Sequence, residues 1–200
     1  GTACRCAALP DALCNLRRWR IACPHFRLPD DLVEAKAFMG RDFLTHVKNL
    51  PIGETFSSRQ LILPAGLDTI KPHAFDGCSM RKLVLPAALT TLDKYAFSGC
   101  RSLTDVDISG AAALTRIGRS AFMDCGSLTY VTLPAALTSI GDWAFADCTS
   151  LALTSLPEGI TFIGPAAFYN CASLALTSLP DGLTSIGDRA FAYSSLALTS

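Results

Sequence analysis

Along most of the chain, apolar residues arrive in short pulses, each broken by Thr, Ser, Gly, Pro or Asp. The pulses repeat. The dipeptide Ala-Phe occurs at 74–75, 96–97, 121–122, 144–145, 167–168 and 190–191, in steps of 22, 25, 23, 23 and 23 residues. The same phrase returns around each pair, for example Leu133-Pro134-Ala135-Ala136-Leu137-Thr138-Ser139-Ile140-Gly141-Asp142-Trp143-Ala144-Phe145, then Cys148 and Leu151. The short step lacks one residue near Ser79-Met80. The long step adds two within Gly110–Ala113, where Ser109 stands in place of the usual proline. Insertions of that kind belong on turns.

Within one copy, Leu128, Val131 and Leu133 end in a period-2 apolar pattern, which predicts a short strand with one buried face. Pro134 ends it, because proline has no N–H to give to a ladder. Leu137 and Ile140 form a second inward pair ahead of a turn at Gly141-Asp142, and Ala144 and Phe145 supply a small and a large interior residue. A unit of this size cannot bury its own apolar edge, so the copies must stack as a solenoid held by nearest-neighbour interfaces.

The phrase Leu-Pro-x-x-Leu-Thr-x-Ile-Gly-x-x-Ala-Phe-x-x-Cys-x-x-Leu, spread over residues 61–200, resembles the BspA-type class of leucine-rich repeats, found in many bacterial and protist surface proteins. The resemblance implies a mainly β, curved solenoid with a parallel sheet on the concave side and short strands or turns on the convex side. It also implies a recognition or adhesion role.

Residues 1–60 read as a separate cap region ahead of a solenoid of about six repeats. Pro10 to Ala22 has helical spacing at Leu13 and Leu16. The stretch from Leu28-Pro29 through Ala37-Phe38 to Leu50-Pro51 reads equally as a worn repeat or as a helix stepping through Leu32, Ala35, Met39, Phe43 and Val47. Either form would cover the first rung. The sequence stops at Leu196-Ala197-Leu198-Thr199-Ser200, one residue before the expected Leu-Pro. The expectation is a fragment, or a last rung covered by a partner.

Composition narrows the function. Half of the residues are hydrophobic and only 17% are charged, yet no run approaches the roughly 18–20 unbroken apolar residues of a spanning helix. Direct membrane insertion is not expected. The zero net charge argues against bulk nucleic acid as the main partner. It conceals nine basic and six acidic residues in 1–60 against eight and eleven in 61–200. The cluster Arg17-Arg18-Trp19-Arg20 reads first as a solvated helix face and only secondarily as a phosphate contact.

The nine cysteines fall into two groups. Cys78, Cys100, Cys125, Cys148 and Cys171 each lie three residues after the repeat phenylalanine, and the sixth copy has Ser194 there. One recurring position predicts a buried thiol ladder, since cysteine packs as a small hydrophobe. Disulfides between neighbouring rungs are the alternative, but an odd ladder cannot pair fully. Cys4, Cys6, Cys14, Cys23 and His25 are five soft ligands close in sequence. Their spacing lacks a Cys-x-x-Cys knuckle, so ordinary thiols stand ahead of a disulfide and a tetrahedral zinc. No cofactor is expected. His25, His46 and His73 accompany no nucleophile signature, and no phosphate-binding or metalloprotease motif is present, so an enzyme is not expected.

The remaining candidates lie on the outer face of the predicted strands. If Val131 and Leu133 point inward, Tyr130 and Thr132 point out. The same register exposes Lys82 and Val84, Asp105 and Asp107, Leu153 and Ser155, Leu176 and Ser178, and Leu198. That face would carry a protein partner and end in a stripe of leucines. Thr154 and Thr177 in the column of Val131 leave a second register open, in which a bulge turns Leu153 and Leu176 inward. Two settings are compatible with this surface. One is a microbial cell-surface recognition or adhesion protein. The other is an accessory structural subunit of a large intracellular or organellar assembly in a protist or alga. No signal peptide or anchor is visible, and a regular thiol ladder suits a reducing compartment.

Overall fold

A computed structural model describes residues 26–27, 60–63, 65–78 and 80–196. Among these residues there is no helix, and every strand is two or three residues long. The strands form two parallel sheets, and successive turns of the chain supply neighbouring strands in each. The five-stranded sheet runs β1 (Phe26–Arg27), β2 (Gln60–Ile62), β4 (Lys82–Val84), β6 (Asp105–Asp107) and β8 (Tyr130–Thr132). The six-stranded sheet holds β3 (Thr69–Ile70), β5 (Thr91–Leu92), β7 (Arg116–Ile117), β9 (Ser139–Ile140), β10 (Phe162–Ile163) and β11 (Ser185–Ile186). Register follows the repeat: Leu83 lies beside Val106 and Val106 beside Val131, while Ile117, Ile140, Ile163 and Ile186 line up in the second sheet. The chain is the solenoid that its spacing predicts.

The first sheet begins upstream of residue 61. β1 pairs with β2, Phe26 beside Leu61. Phe26 stands two residues before Leu28-Pro29, as Leu61 stands two before Leu63-Pro64. The helical readings of 10–22 and 28–51, and the worn-repeat reading of the latter, lie outside the described residues.

Equivalent side chains stack in columns, and the interior is their sum. Phe75, Phe97, Phe122, Phe145, Phe168 and Phe191 form one continuous pile, with ring centroids 5.0–5.5 Å apart and planes within 8° of parallel. Offset stacking of this kind is favourable beyond the area it buries. Beside it run columns of alanine (Ala96, Ala121, Ala144, Ala167) and of leucine (Leu103, Leu128, Leu151, Leu174), all buried. Alanine is required there because the phenylalanine beside it already fills the space.

The polar residues of the phrase tie one rung to the next. Thr90, Thr104, Thr138, Thr161 and Thr184 each donate a hydroxyl hydrogen bond to a backbone oxygen of the preceding rung, at 2.8–3.3 Å. The six-residue turn around Ala-Phe is built on two left-handed backbone positions. The residue before Ala-Phe (His73, Tyr95, Ser120, Trp143, Ala166, Arg189) and the one four further on (Gly77, Gly99, Asp124, Asp147, Asn170, Tyr193) all have φ between 52° and 67°. Ten of these twelve are not glycine, although a Cβ raises the cost of this conformation by roughly 1–2 kcal/mol. The turn is held by the neighbouring rung, to which it is laced by bonds such as Phe122 N–H to Ala144 O at 2.8 Å and Asp124 N–H to Ala146 O at 2.9 Å.

Glycine after the isoleucine has a different purpose. A Cβ on Gly141 would lie 2.8 Å from Ile117 O and 2.9 Å from Arg119 N, both backbone atoms of the rung below. Close approach, not a special φ, demands glycine here. Gly141→Ala is expected to cost about 1–3 kcal/mol through overpacking. Gly110→Ala, with nothing within 4 Å of its Cβ, should stay within about 0.5 kcal/mol. Denaturant titration of both variants measures the contrast, and equal midpoints would refute the close-approach account.

Candidate functional site

The five-stranded sheet positions its outward side chains in two rows set by strand register. Lys82, Asp105 and Tyr130 are register partners in one row, and Val84, Asp107 and Thr132 in the other. The inward partners Leu83, Val106 and Val131 are buried, so the outward ones have no option but solvent. Lys82 and Thr132 are exposed, Asp105 is half-buried, and Tyr130 stands 64% exposed. These positions agree with the predicted register.

The carboxylates are not equivalent. Asp107 Oδ1 accepts from Thr132 Oγ1 at 2.6 Å, Ser109 Oγ at 2.7 Å and Ser109 N–H at 3.0 Å. Those bonds, the Thr132 hydroxyl first, hold its pKa below the ordinary carboxylate value. Its contribution to stability is therefore complete above about pH 4 and is lost as pH falls through the depressed value. Asp107 anchors the turn in which Ser109 replaces proline and two residues are inserted. Asp105 accepts only from Thr104 Oγ1, at 2.7 Å, and remains the more available charge.

The leucine stripe does not form. Leu176 is fully buried and Leu153 packs against the core, while Thr154, Ser155, Thr177 and Ser178 face solvent. A polar threonine in the valine column is turned outward and the preceding leucine takes its place, the one-residue exchange of faces that a pleated chain permits. Its cost is the strand: 151–156 and 174–179 have no strand, although two more turns of the solenoid follow β8. Leu176 leaves the set of surface candidates, and Leu198 lies outside the described residues. Where the sheet stops there is an open cleft of about 520 Å³ between β8 and Ala152–Pro157, flanked by Tyr130, Thr132, Leu133 and Leu153.

The thiol ladder forms as predicted, with Cys78, Cys100, Cys125, Cys148 and Cys171 all buried. Each of the last four donates its S–H to the phenylalanine carbonyl of the preceding rung: Cys100 to Phe75, Cys125 to Phe97, Cys148 to Phe122 and Cys171 to Phe145, at 3.1–3.3 Å. Ser194 makes the same bond to Phe168, which explains how serine can stand in the sixth copy. The neighbouring Cys125 thiol and burial push Cys100 well above its usual pKa. Cys125 is also raised, by Cys148 and burial against an opposing pull from Cys100. Burial pushes Cys171 up to about 12. Such thiols are weak nucleophiles.

The other candidates supply no reactive set. His73 stacks on Tyr95 at 4.7 Å and faces Asp76 at 3.6 Å, partly exposed and without a nucleophile. No cluster of three metal-ligating side chains exists among the described residues, and Cys4, Cys6, Cys14, Cys23 and His25 lie outside them. None of the described elements is a helix long and apolar enough to cross a membrane. Sequence reasoning missed an aromatic cluster on the Ala-Phe edge, where Tyr169 touches Trp143 at 5.7 Å and Tyr193 at 5.3 Å. These rings occupy three different columns of the repeat, so periodicity could not align them.

Parallel strands, one per turn, with leucine columns inside and a variable outward face define a leucine-rich-repeat solenoid. The profile of the "BspA type Leucine rich repeat region" matches six copies over residues 53–119 and 111–199, and the chain belongs to that family. Its fold is similar to solved leucine-rich-repeat proteins. One from Bacteroides ovatus is 25% identical over 68% of this chain and 41% of its own, with a TM-score of 0.53. One from Eubacterium ventriosum is 24% identical over 72% and 45%, TM-score 0.53. The pneumococcal vaccine antigen PcpA is 22% identical over 65% and 33%, TM-score 0.54. The chain thus spans less than half the length of each. No curated protein sequence matches significantly.

Alkaline titration tests the ladder. An unfolded thiol ionises near 9 while Cys171 resists to about 12, so its stabilising contribution is whole below the lower value and is lost as pH rises towards the higher. Each such thiol adds a slope of about 1.4 kcal/mol per pH unit in that window. Cys171→Ser should keep the carbonyl bond and flatten the fall in denaturation midpoint above pH 9. The same slope in both chains would contradict the assignment.

Proposed function

We propose that this chain is a non-enzymatic recognition module that binds a protein partner across its five-stranded, concave face. The register-aligned rows of Lys82, Asp105 and Tyr130 beside Val84, Asp107 and Thr132 carry the reading. They give a rigid platform that mixes both charges with an exposed aromatic anchor, the kind of residue that dominates binding energy at protein interfaces. In this reading residues 61–200 are the binding solenoid and residues 1–60 its cap.

Family membership favours a surface recognition or adhesion setting. The free thiols of Cys100, Cys125, Cys148 and Cys171 favour the second reading, an accessory subunit of an intracellular or organellar assembly, because they suit a reducing compartment. Tagged chain recovered from its native cells in mild detergent distinguishes the two by the compartment and identity of what it retains.

Tyr130→Ala combined with Asp105→Lys should weaken retention of the partner at least tenfold, about 1.4 kcal/mol or more. Phe162→Ala, on the six-stranded sheet, should leave it unchanged. Equal loss from both, or a chain that retains no partner at all, refutes the reading.

A further inference from the structure

The cleft beside β8 is a fault between two registers. In β8 the backbone groups of Tyr130 and Thr132 turn towards β6: Tyr130 N–H bonds Thr104 O at 3.1 Å, and Thr132 O accepts from Ile108 N–H at 3.0 Å. Alternate residues of a strand turn to opposite sides, so Val131 and the N–H of Leu133 turn towards the next rung. There the ladder makes one bond, Ala152 N–H to Thr129 O at 3.1 Å, and then stops. No backbone bond joins Val131 or Leu133 to Leu153–Leu156. The next two rungs share their own offset pairing, Ala175 N–H to Leu153 O at 3.1 Å and Thr177 N–H to Thr154 O at 3.4 Å. They agree with each other and disagree with β8, so the mismatch is confined to one seam.

We infer that this seam binds an extended segment of a protein partner, whose backbone completes the hydrogen bonds that the N–H and C=O of Val131 and the N–H of Leu133 leave unmade. The inference rests on the proposed function and names the part of the face that recognises a chain rather than a surface. Two donors and one acceptor at strand spacing match the backbone of another extended chain, the basis of recognition by strand addition. Tyr130 to Leu133 fit a segment of about four residues at roughly 3.3 Å each. Leu133 and Leu153 give its side chains apolar walls. Asp105, one register step away, favours a segment that carries Lys or Arg and disfavours phosphate-bearing ligands.

Copying Thr129-Tyr130-Val131-Thr132 into the next two rungs removes the seam. That variant carries Ala152→Thr, Leu153→Tyr, Thr154→Val and Ser155→Thr, with Ala175→Thr, Leu176→Tyr, Thr177→Val and Ser178→Thr. Linear random peptides displayed on phage are selected on the full chain. Basic, extended peptides should be enriched, should bind at least tenfold more weakly to the repaired chain, and should lose binding on N-methylation of a central residue. Amide hydrogen exchange supplies the structural control: Val131 and Leu133 should exchange fast and Tyr130 and Thr132 slowly, all four becoming slow in the repaired chain. Protected Val131 and Leu133 in the unaltered chain, failure to enrich any peptide, or equal binding to the repaired chain would overturn the inference. A native partner lost with Tyr130→Ala but kept by the repaired chain leaves the proposed function standing and removes the seam from it.

Discussion

Everything in this molecule follows from the demand that six phenylalanine rings stack face over face at the spacing of the chain's own turns. The centroid separations of 5.0–5.5 Å are those of rings riding slightly tilted on strands about 4.8 Å apart. A pile at that interval leaves room for alanine beside it, for glycine where backbones nearly touch, and for one thiol per turn reaching the carbonyl below. Side chains that look unrelated in the sequence are thus solutions to one packing problem. It recurs with a translation instead of a new environment, which is why the described rungs of a neutral, charge-poor chain stack without helices.

The architecture was legible because it is periodic. Ala-Phe spacing gave rung number, the location of the inserted turn and the thiol ladder, since each depends on which column a residue occupies. Periodicity was blind where one rung departs from the average. Leu153 and Leu176 follow the spacing of exposed residues, and only the polarity of Thr154 and Thr177 hinted at the exchange of faces. The sequence could pose both registers; relative burial of leucine and threonine decides between them. The role of Asp107 was similarly hidden, because its partners Ser109 and Thr132 lie on different rungs and only stacking brings them to its oxygen. Glycine after isoleucine reads naturally as a turn residue, and three-dimensional crowding gives it another meaning.

The face proposed for binding combines a regular platform with one irregularity. Regularity supplies rigidity: no outward residue of β4, β6 or β8 can move without its inward neighbour. The irregularity supplies distinction, because a perfect repeat offers a partner many equivalent docking registers along the axis. A single seam at β8 removes that degeneracy. Asp105 and Tyr130 lie near it, so charge, ring and free backbone coincide at one position of an otherwise repetitive surface.

The left-handed turn residues carry a consequence for how the molecule comes into being. Ten side chains hold a backbone shape they would not choose alone, and what holds them is the rung already in place beside them. A single turn of this sequence released from its neighbours has no reason to keep its form. Growth must therefore resemble crystallisation, with an unfavourable seed followed by templated addition. Glycine occupies one of the two demanding sites in the rungs containing Gly77 and Gly99 and in none of the four that follow, so the seed costs least at that end. A chain emerging from the ribosome would make these two rungs before the four that follow, so that the later rungs are added onto them.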